Sequence, residues 1–377
     1  MNQFKIPPVS TLLGSSFRNY FKILGQGRIS PRYYFKIFLT TLVVLIATPF
    51  HWWEKLFYYK KLKNFKFEKP PLFILGHWRS GTTLLHNLLT KDPSAAYMTT
   101  YQGVFPNNLT SKWLFRTFMK INMPDRRPSD GVKLDINFPQ EDEFAFSNSQ
   151  WNAYYNFFYF PQNYQQYYEK SVHHKGLSKK EIDLWYKCYD KLVKKALINT
   201  NGKRVIFKNP VNTARVDKLL KLYPDAKFLF IYRNPITVFY STRRFFQQLY
   251  PTLWLNKVDN QFIDKMIFDV YIRMMDDYYS LKSLIPAENL MEIRFEEFEI
   301  NPVKGVENIY KKLFNEDFSQ IRSYFSEYIK TQQSHKKNKY EVDAKEIESI
   351  SKKWKKYIDM YNYDLPEDVA IKSNIEN

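Results

Sequence analysis

Leu72-Phe73-Ile74-Leu75-Gly76-His77-Trp78-Arg79-Ser80-Gly81-Thr82-Thr83-Leu84-Leu85-His86 decides the fold class of this 377-residue chain. A short apolar run, a loop bracketed by glycines and apolar residues at helical spacing read as strand, turn and helix. The loop fits the phosphate-binding template GxxxxGK[ST] at every fixed position but one, because Thr82 stands where a nucleotide hydrolase carries its lysine. Glycines let backbone N–H groups converge on an anion, and the N-terminus of the following helix adds partial positive charge. Ser80, Thr82 and Thr83 supply hydroxyl donors, and Arg79 supplies a fixed charge.

The same grammar recurs outward from this loop. Arg204–Phe207 reads as a strand closing on Lys208-Asn209-Pro210, and KFLFIY (227–232) as a strong strand running into Arg233-Asn234-Pro235. LMEIRF (290–295) is a later strand, and residues 181–198 set Ile182, Trp185, Tyr189, Leu192, Val193, Ala196 and Leu197 on one helical face. Strands alternating with helices predict an α/β fold, a P-loop-type, mainly parallel sheet flanked by helices. Gly76, Lys208 and Arg233 each follow a strand directly. Ligands of open α/β sheets bind outside the carboxyl ends of strands, so three anion-binding features converge on one edge.

A Mg²⁺-dependent P-loop kinase or hydrolase is the first rival reading. It lacks its lysine, and KFLFIY ends in an arginine instead of a metal-binding acid, so no metal is expected. The six histidines form no HExxH pair, which leaves a zinc site without support. The net charge of +19 favours an anionic partner, and 18% of residues are aromatic. A non-enzymatic membrane or nucleic-acid binder is therefore the second rival; against it stands the clustering of aromatics at 146–168, and no nucleic-acid partner is expected. Cys188 alone cannot form an intrachain disulfide, which favours a reducing compartment, and its helical surroundings make it a small core residue.

Residues 1–68 differ in character from 69–377. Ile37–Phe50 is an uncharged apolar run followed by Trp52 and Trp53 and flanked by Arg28, Arg32, Lys36, Lys55, Lys60 and Lys61. A bilayer span needs about 20 apolar residues; this run is shorter and carries Pro49. A helix lying in the membrane interface is expected, with a buried core helix as the alternative. The N-terminal region then holds the remainder of the chain on the cytoplasmic face of a membrane.

WRSGTTLL (78–85) resembles the 5′-phosphosulfate loop of sulfotransferases that use 3′-phosphoadenosine 5′-phosphosulfate (PAPS). FLFIYRNPITVFYS (228–241) resembles that family's 3′-phosphate segment, in which an arginine at a strand end and a serine eight residues later bind the phosphate. The resemblance, to a bacterial-type branch, extends through PQEDEFAF, FKNPVNTARVDKLL and RFEEFEINPVKGVENIY, over roughly residues 70 to 340. It implies PAPS as co-substrate, held by Arg79, Ser80, Gly81, Thr82, Thr83, Arg233 and Ser241, with Arg79 on the 5′ side. It also implies sulfuryl transfer to a hydroxyl acceptor, whether a small molecule, lipid or glycan, with Lys208 beside the transferring group. A general base is needed, and Glu141 and Glu143 both qualify after Pro139; His86 and His335 are rivals, and Lys336 and Lys337 are further nucleotide contacts. Cytosolic members place an adenine-stacking tryptophan where this chain has Leu84, so that contact is unassigned. The aromatic stretch 146–168 either walls an acceptor pocket or packs as core.

Overall fold

The computed structural model describes residues 7–124, 134–332 and 339–372. Helices α1 (Phe17–Leu24) and α2 (Tyr34–Lys63) precede strand β1 (Leu72–Leu75), the loop and α3 (Thr82–Leu89). The short β2 (Ala95–Ala96) is followed by α4 (Thr100–Val104), α5 (Lys112–Asn122), α6 (Asp142–Ser147), α7 (Tyr164–Ser171) and the long α8 (Lys179–Thr200). Then come β3 (Arg204–Lys208), α9 (Val216–Leu222), β4 (Lys227–Tyr232), α10 (Pro235–Leu253), α11 (Asn260–Leu281) and β5 (Leu290–Arg294). A small parallel pair, β6 (Tyr340–Val342) and β7 (Val369–Ile371), lies near the C-terminus.

β1 to β5 form one sheet in the order β2-β3-β1-β4-β5, and every pairing in it is parallel. All four residues of β1 are buried, as a strand covered on both faces requires. Alternation sends Phe73, Leu75, Phe207, Phe228 and Phe230 into one core, and Leu72, Ile74, Ile206, Leu229 and Ile231 into the other. Gly76, Lys208 and Arg233 leave β1, β3 and β4 at the same edge, the register pairing Ile74 with both Lys208 and Leu229. Cys188 is buried within α8.

The compositional change near residue 68 is not a break in packing. Leu12, Tyr20, Ile23 and Val44 belong to the same core cluster as the sheet's Phe73 and Phe228. Nor does α2 end at Pro49; it runs on to Lys63, well beyond the apolar run itself. Pro31–Lys63 is long and apolar enough to cross a membrane by length and composition, and only 22% of its most apolar stretch is buried. Lys36, Thr40, Val44, Ala47, Glu54 and Tyr58 form a buried stripe along the whole helix. The opposite face exposes Phe35, Phe38, Leu42, Leu45, Ile46, Trp52, Trp53 and Leu56 to solvent.

Candidate active site

The loop after β1 is shaped by close backbone contacts. Gly76 (φ +133°) lies against the carbonyl of Ile231, which a Cβ would meet at 2.3 Å. Gly81 (φ +95°) lies against the Phe295 ring, which a Cβ would meet at 2.1 Å. Both positions need glycine for conformation and for space. Arg79 also takes a left-handed conformation, φ 68°, unusual for a side-chain-bearing residue and a mark of a constrained functional turn. The Gly76 N–H donates to Thr213 Oγ1 at 2.8 Å, tying the loop to the segment after β3.

From this loop a chain of polar groups crosses the sheet edge. Trp78 Nε1 donates to the Tyr155 hydroxyl at 3.1 Å, and that hydroxyl donates to Glu141 Oε2. Glu141 Oε1 accepts from the Lys208 ammonium, which also reaches Thr83 Oγ1 at 3.5 Å. Burial, with the Glu141 charge second, pushes the Tyr155 phenol well above its ordinary pKa, so it stays a proton donor. Glu141 occupies the N-cap of α6 and keeps 12% of its side chain exposed, while Lys208 keeps 3%.

Glu143, two residues on, has a different environment. It is fully buried, accepting from Arg215 Nη1 at 2.7 Å and Nη2 at 3.1 Å, Asn209 Nδ2 at 2.8 Å and the Tyr154 N–H at 2.6 Å. Its acceptor capacity is filled, leaving no oxygen for a substrate. Between the two, Asp142 accepts from Tyr189 and Asn209 through Oδ2, and its Oδ1 has no partner. Burial, reinforced by Glu143, pushes the Asp142 carboxyl up to about 7. His86 is 1% exposed, with Nε2 on the Ile206 carbonyl of β3 at 3.2 Å. A carbonyl only accepts, so that nitrogen carries the proton.

The 3′-phosphate candidates also gather. Arg79 Nε donates to Ser241 Oγ at 2.9 Å, and Arg233 Nη1 reaches the Arg79 carbonyl at 3.5 Å. Arg79, expected on the 5′ side, and Ser241, expected on the 3′ side, are thus in direct contact. Arg233 lies over the Phe295 ring at 4.5 Å. An anion already sits here. Asp368, just before β7, accepts from Thr237 Oγ1 at 2.7 Å and from Arg233 Nη2 at 3.4 Å. Leu84 packs against the core, and His335, Lys336 and Lys337 lie outside the described residues. No group of three or more His, Cys, Asp or Glu side chains arranged to hold a metal ion occurs among the described residues.

A sequence model of the sulfotransferase family matches residues 70–320, two-thirds of the chain, spanning the loop, Glu141, Lys208 and Arg233. The chain belongs to the sulfotransferase family. This sulfotransferase is 26% identical over 356 residues to the omega-hydroxy-beta-dihydromenaquinone-9 sulfotransferase Stf3 of Mycobacterium bovis, covering 93% of this chain and 91% of that protein. The Stf3 of Mycobacterium tuberculosis matches to the same extent. Among solved structures, sulfotransferase STF9 of Mycobacterium avium has the same fold, with a TM-score of 0.69, 14% identity and coverage of 92% of this chain and 90% of that one. STF1 of Mycobacterium tuberculosis gives 0.64 at 16% identity, with 89% of each chain covered. The family implies PAPS as co-substrate.

Tyr155 and Trp78 escaped the sequence reading as site residues. Tyr155 lies in the aromatic stretch 146–168, where composition signals bulk and not chemistry; only a hydroxyl aimed at Glu141 separates it from its neighbours.

Proposed function

We propose that this sulfotransferase sulfates a hydroxylated membrane lipid, with Glu141 as general base and Lys208 as the charge at the transferring group. The observation that carries this is the linked set Tyr155–Glu141–Lys208–Thr83, which ends on the phosphate loop. PAPS supplies a sulfuryl group activated by a phosphate leaving group. The backbone of 76–83 with Ser80, Thr82 and Thr83 would hold its 5′ end, and Arg233, Ser241 and Arg79 its 3′-phosphate. In the free protein Lys208 is spent on Glu141. An anion beside Thr83 competes for that ammonium, which frees Glu141 Oε1 to accept the proton of the acceptor hydroxyl. Tyr155 keeps the carboxylate aimed. Glu143 has its oxygens filled by Arg215, Asn209 and a backbone N–H, so we assign it a scaffold role, and we assign His86 a structural one on β3.

The lipid acceptor follows from two supports. The related Stf3 enzymes are named for a menaquinone derivative, and α2 exposes an unbroken apolar face with Trp52 and Trp53. The opposite face of α2 is packed on the protein along its length and includes the Glu54 carboxylate paired with Lys195, an arrangement that suits a helix lying on one leaflet better than one crossing it. We take that leaflet to be the cytoplasmic one, a reading supported by the lone cysteine and by the cytosolic supply of PAPS in bacterial cells.

The test is a thermal melt with the product nucleotide, 3′-phosphoadenosine 5′-phosphate (PAP), without added metal, followed by incubation of labelled PAPS with a lipid extract. PAP should raise the melting temperature by mass action, and label should enter an organic-soluble product. Stabilisation by ATP with Mg²⁺ and none by PAP would overturn the donor assignment; label confined to water-soluble products would overturn the lipid.

A further inference from the structure

A cavity lies away from the catalytic edge, between α1, the C-terminal half of α2 and α8, with a volume of about 1400 Å³. Nine lysines and arginines line it against three carboxylates. Those carboxylates are already engaged: Glu54 with Lys195, Asp190 with Lys194, and Glu181 in the capping box that starts α8. Lys180 and Lys187 of α8, Arg18 of α1 and Lys63 of α2 line the groove and make no ion pair among the described residues. Lys191 has only the Asn107 amide oxygen, at 3.1 Å. Concentrating like charges in a concave wall costs self-repulsion, which a bound anion relieves.

The position of the groove on α2 identifies the anion. Lys55, Tyr59 and Lys63 repeat every fourth residue and form one flank of the helix. That flank runs beside the exposed apolar row that includes Leu45, Trp52 and Leu56, and Lys55 lies over the Trp52 ring at 6.0 Å. Apolar chains lying along that row therefore have a positively charged pocket alongside, at the level of the interfacial tryptophans. A free metabolite gains nothing from this adjacency, whereas an amphiphile gains from both surfaces.

We propose that the α1–α2–α8 groove is a binding site for the phosphodiester headgroup of an anionic phospholipid whose acyl chains lie against the apolar face of α2. This rests on the reading that α2 lies on a membrane, and goes beyond it by giving the protein a headgroup preference and a fixed orientation on the leaflet. None of its lysines belongs to the catalytic or nucleotide-binding set.

Vesicle flotation of the full chain tests it, using phosphatidylcholine vesicles with and without phosphatidylglycerol. Three proteins are compared: the unmodified chain, the groove variant K180E/K187E/K191E, and a control, K304E/K311E/K312E, that removes the same charge from exposed lysines elsewhere. The unmodified chain should float with both vesicle types and more tightly with phosphatidylglycerol. The groove variant should lose that increment, at least about a hundredfold at roughly fivefold for each of the three lysines near an anionic surface, while keeping its binding to phosphatidylcholine. The control should keep most of the increment. An unchanged melting shift with PAP shows that the groove variant is folded, and a Lys→Gln version, which neutralises the charges without reversing them, should lose part of the same increment. Equal loss in the groove and control variants means diffuse charge attraction and overturns the site. Flotation with both vesicle types but no phosphatidylglycerol increment also overturns it while leaving the membrane reading intact. No flotation with either overturns both. Glycerol 3-phosphate should not displace the chain from vesicles at concentrations matching the lipid; displacement would identify a soluble phosphate site instead.

Discussion

Two buried lysine–glutamate pairs, Lys208–Glu141 at the sheet edge and Lys195–Glu54 between α2 and α8, look alike until their surroundings are compared. Lys195 also donates to the Pro106 carbonyl at 2.6 Å, and Glu54 Oε2 accepts the Thr110 N–H at 3.1 Å, so both ends are closed by backbone. Burial, with Lys191 second, pushes the Lys195 ammonium down to about 8. Around Lys208 and Glu141 the hydroxyls of Thr83 and Tyr155 are among the further partners, and Glu141 retains some exposure. Hydroxyl partners can turn to another acceptor; backbone partners of a helix and its neighbouring loop cannot. A buried ion pair is therefore not itself the mark of a site. The mark is a pair whose partners can be exchanged for a ligand.

Substitution at each pair tests the contrast, and the largest effect is expected at the sheet edge. Lys208→Ala and Glu141→Gln should each lower kcat by roughly 10²- to 10⁴-fold, with PAP affinity changed only a few-fold, as measured by single-turnover transfer and by calorimetry. Normal turnover in Glu141→Gln would remove the distinction between the pairs. At the other pair the outcome should be inverted. Glu54→Gln leaves the Lys195 charge uncompensated and should cost about 3–5 kcal/mol of stability in urea denaturation, with turnover per folded molecule unchanged. Glu143→Gln should behave like Glu54→Gln, since Arg215 would be left buried against a neutral group.

A smaller effect is expected where the C-terminal segment meets the 3′-phosphate group. Arg233→Ala should weaken PAP by about 1.5–3 kcal/mol while leaving an analogue without the 3′-phosphate nearly unaffected, by calorimetric titration of both. Asp368 holds that arginine through a partly exposed ion pair, so Asp368→Asn should strengthen PAP binding by at most about 1 kcal/mol. Weaker binding in Asp368→Asn would mean that the carboxylate positions Arg233 instead of competing for it.

A further effect is one of pH. Asp142 titrates near 3.8 when unfolded and about 7 when folded, because burial and Glu143 favour its protonated form. Between those values the folded protein binds more protons than the unfolded chain, so Asp142's contribution to stability is present at about pH 4 and is lost as pH rises towards 7. Asp142→Asn, a neutral isostere of the protonated acid with the same acceptor for Tyr189 and Asn209, should flatten that slope in melts across the range. An unchanged slope would mean that Asp142 stays ionised.

Much of this was legible in the residues. The glycine spacing at 76 and 81, the apolar runs of β1, β3 and β4 and the cations that follow them are local patterns, and each came out as strand, loop or edge as read. The helix at 181–198 was equally legible, because one apolar face is enough to reveal it. What was not legible depended on distance in sequence. Glu141 and Glu143 are neighbours with the same chemistry, and nothing local says that one meets Lys208 and the other Arg215. Pro49 was a local sign of interruption, and packing along one whole face of α2 overrode it.

The sequence by itself therefore determined the α/β class, the glycine loop after β1 and the gathering of Gly76, Lys208 and Arg233 on one sheet edge, since strand and helix periodicity and turn chemistry act over a few residues. Only the tertiary structure decided which carboxylate faces Lys208, that Tyr155 completes the set, and that Arg79 joins Ser241. It also decided that the N-terminal helices share the main core. Those outcomes depend on contacts between residues 14 to 162 positions apart. Whether a charge there finds a partner or stays open to a ligand is set by burial and by the competition among all the groups brought together, which no local window contains.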